Sequence, residues 1–275
     1  NTSSINRNRM FAEKLVMTYP LWKGQIEIGE EYTNTRTTNL FSANIPETPN
    51  ADNRVDENNI AVFAELGQQF GRFMIGAGLR YEHVKFNYYE MGLLRDGQSK
   101  TYNNIFPSLN IATEVGKVRM GLNYTGKTIR PGYDQLDGAI SYINRLTYET
   151  GNPYLKPTKL QTVEYMAQWR RFFAQLSYTY FKDGVYHITE PYGPEGEATI
   201  IRTANLDHRH YLQAFVGGNF QVGIWQPKVN IGMMKQWLSL PLNGEQVNMN
   251  TPIFMFQWQN AVHLPFDIWL NIDAQ

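Results

Sequence analysis

The chain contains no cysteine, which removes disulfide frameworks, thiolate zinc sites and cysteine nucleophiles together. It also lacks an excess of either charge, with 25 Lys and Arg against 25 Asp and Glu in 275 residues. Proteins that neutralise phosphate backbones need a clustered basic excess. Here cations such as Arg7, Arg9, Arg170 and Arg171 are scattered, so a nucleic-acid partner is excluded. No run of about 18 uninterrupted apolar residues is present, which excludes transmembrane helices. The mean hydropathy of -0.45 leaves the membrane open, because barrel strands alternate apolar and polar residues and average out.

What the chain has in abundance is aromatic residues: 17 Tyr, 15 Phe and 6 Trp, spread evenly rather than gathered, as girdles rather than a core. Asn, Thr, Gly and Tyr recur where a helix would carry Ala, Leu and Glu, so the secondary structure reads as almost entirely β. Period-two alternation recurs. Val118, Met120, Leu122 and Tyr124 alternate with Arg119, Gly121, Asn123 and Thr125. Ala174, Leu176 and Tyr178 alternate with Gln175, Ser177 and Thr179, and Ile268, Leu270 and Ile272 stand against Asp267, Asn271 and Asp273. The same holds for Ile60, Val62, Ala64 and Leu66, and for Phe73, Ile75, Ala77 and Leu79.

Connections alternate as well. Short ones fall near 20–24, 70–71, 116, 170–171, 222–226 and 264–266, and long polar ones run through 33–58, 89–103, 130–157, 190–197 and 241–250. Short turns on one side and long loops on the other are the pattern of an outer-membrane barrel. Twelve strands follow, at 13–19, 25–33, 59–69, 72–88, 105–115, 117–129, 159–169, 172–188, 198–221, 227–239, 251–263 and 266–275. Several exceed the roughly 9 to 11 residues needed to cross hydrocarbon, so the sheet is expected to project above the membrane. Asn205 and Asp207 mark a bulge or a turn inside the longest strand, and connection parity favours one strand. The expected class is an all-β, antiparallel transmembrane β-barrel.

An ordered series of motifs resembles the barrel of TonB-dependent outer-membrane transporters, most closely the outer-membrane β-barrel group abundant in Bacteroidetes. It comprises Gly78-Leu79-Arg80-Tyr81-Glu82, Phe106-Pro107-Ser108-Leu109-Asn110, Arg130-Pro131-Gly132-Tyr133-Asp134-Gln135-Leu136 and Gly151-Asn152-Pro153-Tyr154-Leu155-Lys156-Pro157, followed by Glu164-Tyr165. The resemblance runs from about residue 13 to the end. It implies one segment of a barrel of roughly 22 strands, residues 1–275 forming a single barrel domain without plug, TonB box or last strands. It implies import of a nutrient ligand such as a siderophore, glycan or peptide at the bacterial outer membrane. The implied partners are outer-membrane lipid, a plug domain, TonB and a surface lipoprotein. No cofactor and no covalent chemistry are implied.

Within these motifs, Pro131, Pro153 and Pro157 lack a backbone donor and suit a loop that leaves one strand and returns without extending the ladder. Gly151-Asn152 tolerates positive φ for a turn. Arg80 and Glu82 fall on the polar face of their strand. Arg80, Tyr81, Glu82, Phe106, Pro107, Ser108, Arg130, Pro131, Tyr133, Leu136, Gly151, Asn152, Pro153, Leu155 and Pro157 are expected chiefly to shape the wall and rim. Tyr133, Tyr142, Tyr148, Tyr154 and Tyr192 are the candidate ligand-contacting aromatics of the loops. Trp22, Trp169, Phe172, Trp225 and Trp258 read as an interfacial belt.

Other chemical signals are weaker. Gly121-Leu122-Asn123-Tyr124-Thr125-Gly126-Lys127-Thr128 fits the phosphate-loop pattern letter for letter, but a phosphate loop must open a helix, and this octapeptide continues a strand toward Arg130-Pro131. His208 and His210 share a strand face without an evident third metal ligand. Glu30 and Glu31 fall on opposite faces and cannot act together as acid and base. No enzyme site is supported. The alternative to an importer is a complete twelve-stranded barrel, porin-like and passive or an adhesion scaffold. Pairing between the segments near Leu15 and Ile268 would distinguish it.

Overall fold

The structure is a computed structural model that describes residues 2–43, 51–136, 138, 140–194, 196–242 and 245–274. Twelve long strands dominate: β1 (Thr2–Leu21), β2 (Gly24–Ala43), β3 (Ala51–Phe70), β4 (Phe73–Glu90), β5 (Lys100–Val115), β6 (Val118–Ile129), β7 (Thr158–Trp169), β8 (Phe172–Tyr192), β9 (Ala198–Asn219), β10 (Trp225–Trp237), β11 (Ile253–Leu264) and β12 (Ile268–Ala274). They pair in sequence order as one antiparallel meander. No helix among the described residues is long and apolar enough to cross a membrane.

Register sorts the side chains. One row runs Ile75, Ile111, Leu122, Tyr165, Leu176, Ala214, Met233, Phe254 across eight strands. The next row, one residue away, runs Gly76, Asn110, Asn123, Glu164, Ser177, Gln213, Met234. Successive side chains point to opposite faces, so the sheet has an apolar outer face and a polar inner one. On the inner face the amide of Asn110 donates to Asn123, and a Cβ on Gly78 would meet Ser108 Oγ at 2.5 Å, which keeps that position bare.

The four tight turns between β1 and β8 share one geometry. Trp22, Gly71, Gly116 and Arg170 each hold positive φ at the first of two turn residues, and the second residue does not. Positive φ at the first position alone matches the twist of a two-residue hairpin of the II′ kind. Glycine occupies it in two turns, and Trp22 and Arg170 adopt it against the preference of L-residues.

The strands are longer on the loop side than their apolar content suggests. The segment 33–58, expected as a loop, is mostly ladder, with Thr33 opposite Asn59 and Phe41 opposite Ala51; residues 44–50 lie outside the described set. Polar cross-strand pairs hold it. Arg36 Nε donates to Asp56 Oδ1 at 2.7 Å, and Asn34 Nδ2 to Asn58 Oδ1 at 2.6 Å. Polarity here marks where the strand leaves hydrocarbon, and the hydrogen-bond ladder continues into water. Likewise β4 reaches Glu90, Leu93–Leu94 folds back on it, and β5 opens at Lys100. The stretch 198–221 is one strand through Asn219.

The sheet does not close on itself: among the described residues β1 and β12 are its two edges, unpaired with each other. Leu122→Arg is expected to destabilise the intact protein by about 2–4 kcal/mol, and Asn123→Arg, one residue along on the inner face, by far less. Denaturant unfolding in bilayers reads both, and equal losses would reverse the assignment of faces.

Candidate functional site

The β6–β7 connection folds inward over the concave face as a strap. It leaves β6 at Arg130, makes one helical turn at Tyr133–Leu136, forms a hairpin from Ile140–Asn144 and Thr147–Thr150, and returns through 151–157. Thr147–Thr150 adds in parallel to Thr199–Arg202 of β9, above the stretch of β9 that pairs with β10. The strap thus crosses the tops of β7 and β8 to reach the far edge of β9.

Apolar burial seats it. Leu136 and Leu155, 5% and 2% exposed, pack with Val55, Phe86 and Tyr88 of the inner wall. Pro131, Pro153 and Pro157 line a cavity of about 230 Å³ beside that cluster, closed by Glu57, Lys100 and Tyr102 among others.

Hydrogen bonds pin the strap at two asparagines. Asn152 donates from its backbone to Gln135 O at 2.6 Å and from Nδ2 to Thr203 O at 3.2 Å. Its Oδ1 accepts Tyr154 N at 2.9 Å, and Thr203 Oγ1 donates to the same Gln135 carbonyl at 3.1 Å. Asn205 of β9 accepts Lys156 N at 2.8 Å and donates to Lys156 O at 2.9 Å and Asp183 O at 2.7 Å. Lys100 Nζ donates to the carbonyls of Tyr154 and Leu155 at 2.9 and 3.3 Å.

An alternating line of charges ties the start of the strap to the wall. Glu31 meets Arg80 at 3.2 Å, Arg80 meets Glu82 at 2.8 Å, Arg130 meets Glu82 at 3.4 Å, and Arg130 meets Glu57 at 3.0 Å. Partly solvated pairs of this kind each contribute under about 1 kcal/mol, so the line fixes positions more than it supplies stability. On the polar extension of the strands beyond the apolar band, burial raises Glu57 while Arg130 pulls it down. Burial and then the charge of Glu57 push the Tyr102 hydroxyl up to about 12, and burial and then Lys156 lower Lys100. Tyr102 therefore stays a neutral hydroxyl at any physiological pH.

Above the strap lies an open recess of about 640 Å³ at the rim, bordered by Asp52, Glu90 and Arg202 from the wall and by Gly151, Asn152 and Tyr154 from the strap. Next to it three tyrosines form one group, Tyr142 to Tyr148 at 5.7 Å and Tyr148 to Tyr192 at 4.9 Å between ring centroids.

All 275 residues match the outer membrane protein beta-barrel family. The chain belongs to that family. Its place is therefore the bacterial outer membrane. No curated protein matches it. Among solved structures it is similar to the copper transporter OprC, with TM-score 0.65 and 12% identity over 98% of this chain and 51% of that one. It is similar to the FrpB iron transporter from Neisseria meningitidis, with TM-score 0.59 and 13% identity over 98% of this chain and 42% of that one. A double mutant of the Serratia marcescens hemophore receptor HasR, in complex with its hemophore HasA and heme, gives TM-score 0.58 and 9% identity over 100% of this chain and 56% of that one. Identities this low carry the fold alone. The chain spans about half the length of these structures.

The barrel fold distributes the motif residues over distinct tasks. Arg80, Glu82 and Arg130 join the charge line, and Phe106 stands opposite Arg80 on the inner face. Tyr81 faces outward and donates to Asn103 Oδ1 at 2.8 Å, with Pro107 on the same outer face, opposite Leu79. Of the candidate ligand aromatics, Tyr142, Tyr148 and Tyr192 come together and Tyr154 stands apart, 59% exposed at the recess; the side chain of Tyr133 lies outside the described set. Tyr192 closes β8 rather than sitting in a loop, and Tyr142 and Tyr148 belong to the strap hairpin.

The phosphate-loop match lies inside β6, registered along β7 from Gly121 opposite Met166 to Thr128 opposite Lys159. His210 Nδ1 lies 2.6 Å from Tyr178 Oη, and no group of three metal-ligating side chains occurs among the described residues. Sequence reasoning missed Glu57, assigned to a loop, and the role of Asn205, read as a bulge or turn within a strand favoured as continuous, where it is the clasp of the strap. An asparagine and a threonine at 205 and 203, inside an otherwise regular strand, were the available signal.

Asn152→Ala and Asn205→Ala are each expected to cost about 1–3 kcal/mol locally and to open residues 131–157 to amide exchange while the strand rows stay protected. Leu155→Ala, which empties the buried seat, is expected to cost about 2–5 kcal/mol, measured in the same exchange experiment.

Proposed function

We propose that this chain is the barrel part of a TonB-dependent outer-membrane receptor that imports a nutrient ligand, working with a plug domain, TonB and, at the surface, a lipoprotein. The observation that carries the proposal is the open sheet. Twelve strands with a polar concave face end in two free edges, and in hydrocarbon an unpaired strand edge is not tolerated. Further strands must complete the wall, and the overlap with about half of each structure named above suits a barrel of roughly 22 strands, whose lumen is wide enough to need a plug. A passive twelve-stranded pore would instead pair β1 with β12.

On this reading residues 1–275 are one barrel segment that performs no covalent chemistry. The wall orients and selects. The strap narrows the lumen from one side, the charge line and two asparagine clasps hold it at fixed height, and the recess with its neighbouring tyrosines offers ring faces and hydroxyls to an arriving ligand. Tyr142, Tyr148, Tyr154 and Tyr192 are the proposed contacts.

Uptake by cells carrying the intact protein, measured with a ferric chelate, copper and haem as separate probes, is expected to fall to the level of cells lacking the protein when TonB is deleted. Undiminished uptake without TonB would establish the passive reading instead. For whichever probe is imported, a Tyr142→Ala, Tyr148→Ala, Tyr192→Ala variant is expected to bind about tenfold more weakly, a loss of roughly 1.4 kcal/mol, by titration calorimetry.

A further inference from the structure

Five cations that look scattered along the chain occupy equivalent places in the fold. Each of the four tight turns from β1 to β8 carries a cation as its second residue: Lys23, Arg72, Lys117 and Arg171. In the last of these turns the first residue is cationic too, Arg170. All five are exposed, no carboxylate lies in any of the four turns, and none of the five enters an ion pair of the described residues. The pattern then stops. The turn after β9 carries no charge, and the one after β11 carries Asp267, beside His263 at 3.0 Å. Glu114, the nearest acid by register, stands opposite Arg119 on the inner face.

Short turns mark the periplasmic end of an outer-membrane barrel. The rings beside these cations, Trp22, Phe70, Phe73, Trp169 and Phe172, are exposed on the rim where hydrocarbon meets headgroups. At the doubly charged turn the outer wall is also indented. Trp169 and Phe172 stack at 5.8 Å, Phe220 meets Phe172 edge-on at 5.4 Å, and small residues Ala167, Ala174 and Gly218 lie in the groove beside them. Arg170 Cζ stands 5.4 Å over the Trp169 ring, and Arg171 Nη1 donates to Gln221 O at 3.4 Å, so both guanidinium groups are held at the mouth of the groove.

We propose that this turn is a binding site for an anionic phospholipid of the periplasmic leaflet, its phosphate on Arg170 and Arg171 and one acyl chain in the groove of Trp169, Phe172 and Phe220. Lys23, Arg72 and Lys117 extend the same cationic edge along the membrane surface, favouring anionic headgroups on the side of β1 to β8 over the side of β9 to β12. Charge complementarity selects the occupant. Unpaired guanidinium groups beside an apolar channel match a phosphate attached to an alkyl chain, and an aqueous anion would leave the groove unfilled.

The test places the intact protein in bilayer discs containing phosphatidylglycerol or phosphatidylcholine with brominated acyl chains and reads quenching of Trp169, taken as the difference from a Trp169→Phe variant. Quenching is expected to favour phosphatidylglycerol, and Arg170→Gln with Arg171→Gln to reduce that preference about fivefold for each cation removed, since one cation near an anionic surface is worth about 1 kcal/mol. Lys23→Gln is expected to leave the Trp169 signal unchanged. Equal quenching by the two lipids, or a preference that survives the double substitution, would overturn the proposal. So would displacement of the brominated lipid by inorganic phosphate alone, which would assign the cations to a free anion.

Discussion

In hydrocarbon a backbone amide has no water to turn to, and each unpaired group costs several kcal/mol. Everything else in this structure is arranged around that constraint. The meander exists because neighbouring strands supply one another's partners, and register is specified because a slip by one residue would turn Leu122 inward and Asn123 into lipid. The constraint relaxes above the membrane, and there the same strands continue with Thr, Asn, Arg and Asp on both faces, as along Thr33–Phe41 and its partners.

Where water returns, a different economy of contacts begins. Among the described residues, Val55, Phe86 and Tyr88 are the buried apolar residues of the inner wall that pack with the strap. The strap brings Leu136 and Leu155 to complete a small core on the concave face, and Asn152 and Asn205 satisfy backbone groups that a loop crossing the tops of β7 and β8 would otherwise leave buried without partners. The motif residues are thus accounted for by position: prolines at the bends, leucines in the seat, an asparagine at the pivot, and arginines between carboxylates at the point of departure. On the proposed function, recognition falls to the surfaces the strap presents, the rim recess and the group of tyrosines.

Much of this was legible beforehand. Alternation at 118–125 and 174–179 identified the two faces, and turn residues at 71 and 116 marked the short connections, because period and turn chemistry are local properties of a strand. Strand ends were not legible. A polar strand above the membrane and a polar loop share one composition, so the extent of β2 and β3 was underestimated and Glu57 was placed in a loop. The tyrosines at 142, 148 and 192 could be named as loop aromatics, but nothing local said that three of them would meet and Tyr154 would not.

The sequence by itself determined the class of fold, the number of long strands, the face each residue takes and the membrane in which the chain resides, since each follows from patterns repeated within about ten residues. Only the tertiary structure decided that the sheet has free edges, that the 130–157 connection turns inward to join β9, and that Asn205 clasps it across 49 residues of chain. It alone revealed that the cations at 23, 72, 117 and 171 stand along one edge. These facts depend on contacts between residues far apart in the chain, and spacing alone carries no information about which strand will stand beside which, or how high a loop will reach. The neutral charge balance concealed the last of them: summed over the chain the cations cancel, and only the fold separates them from their counter-charges.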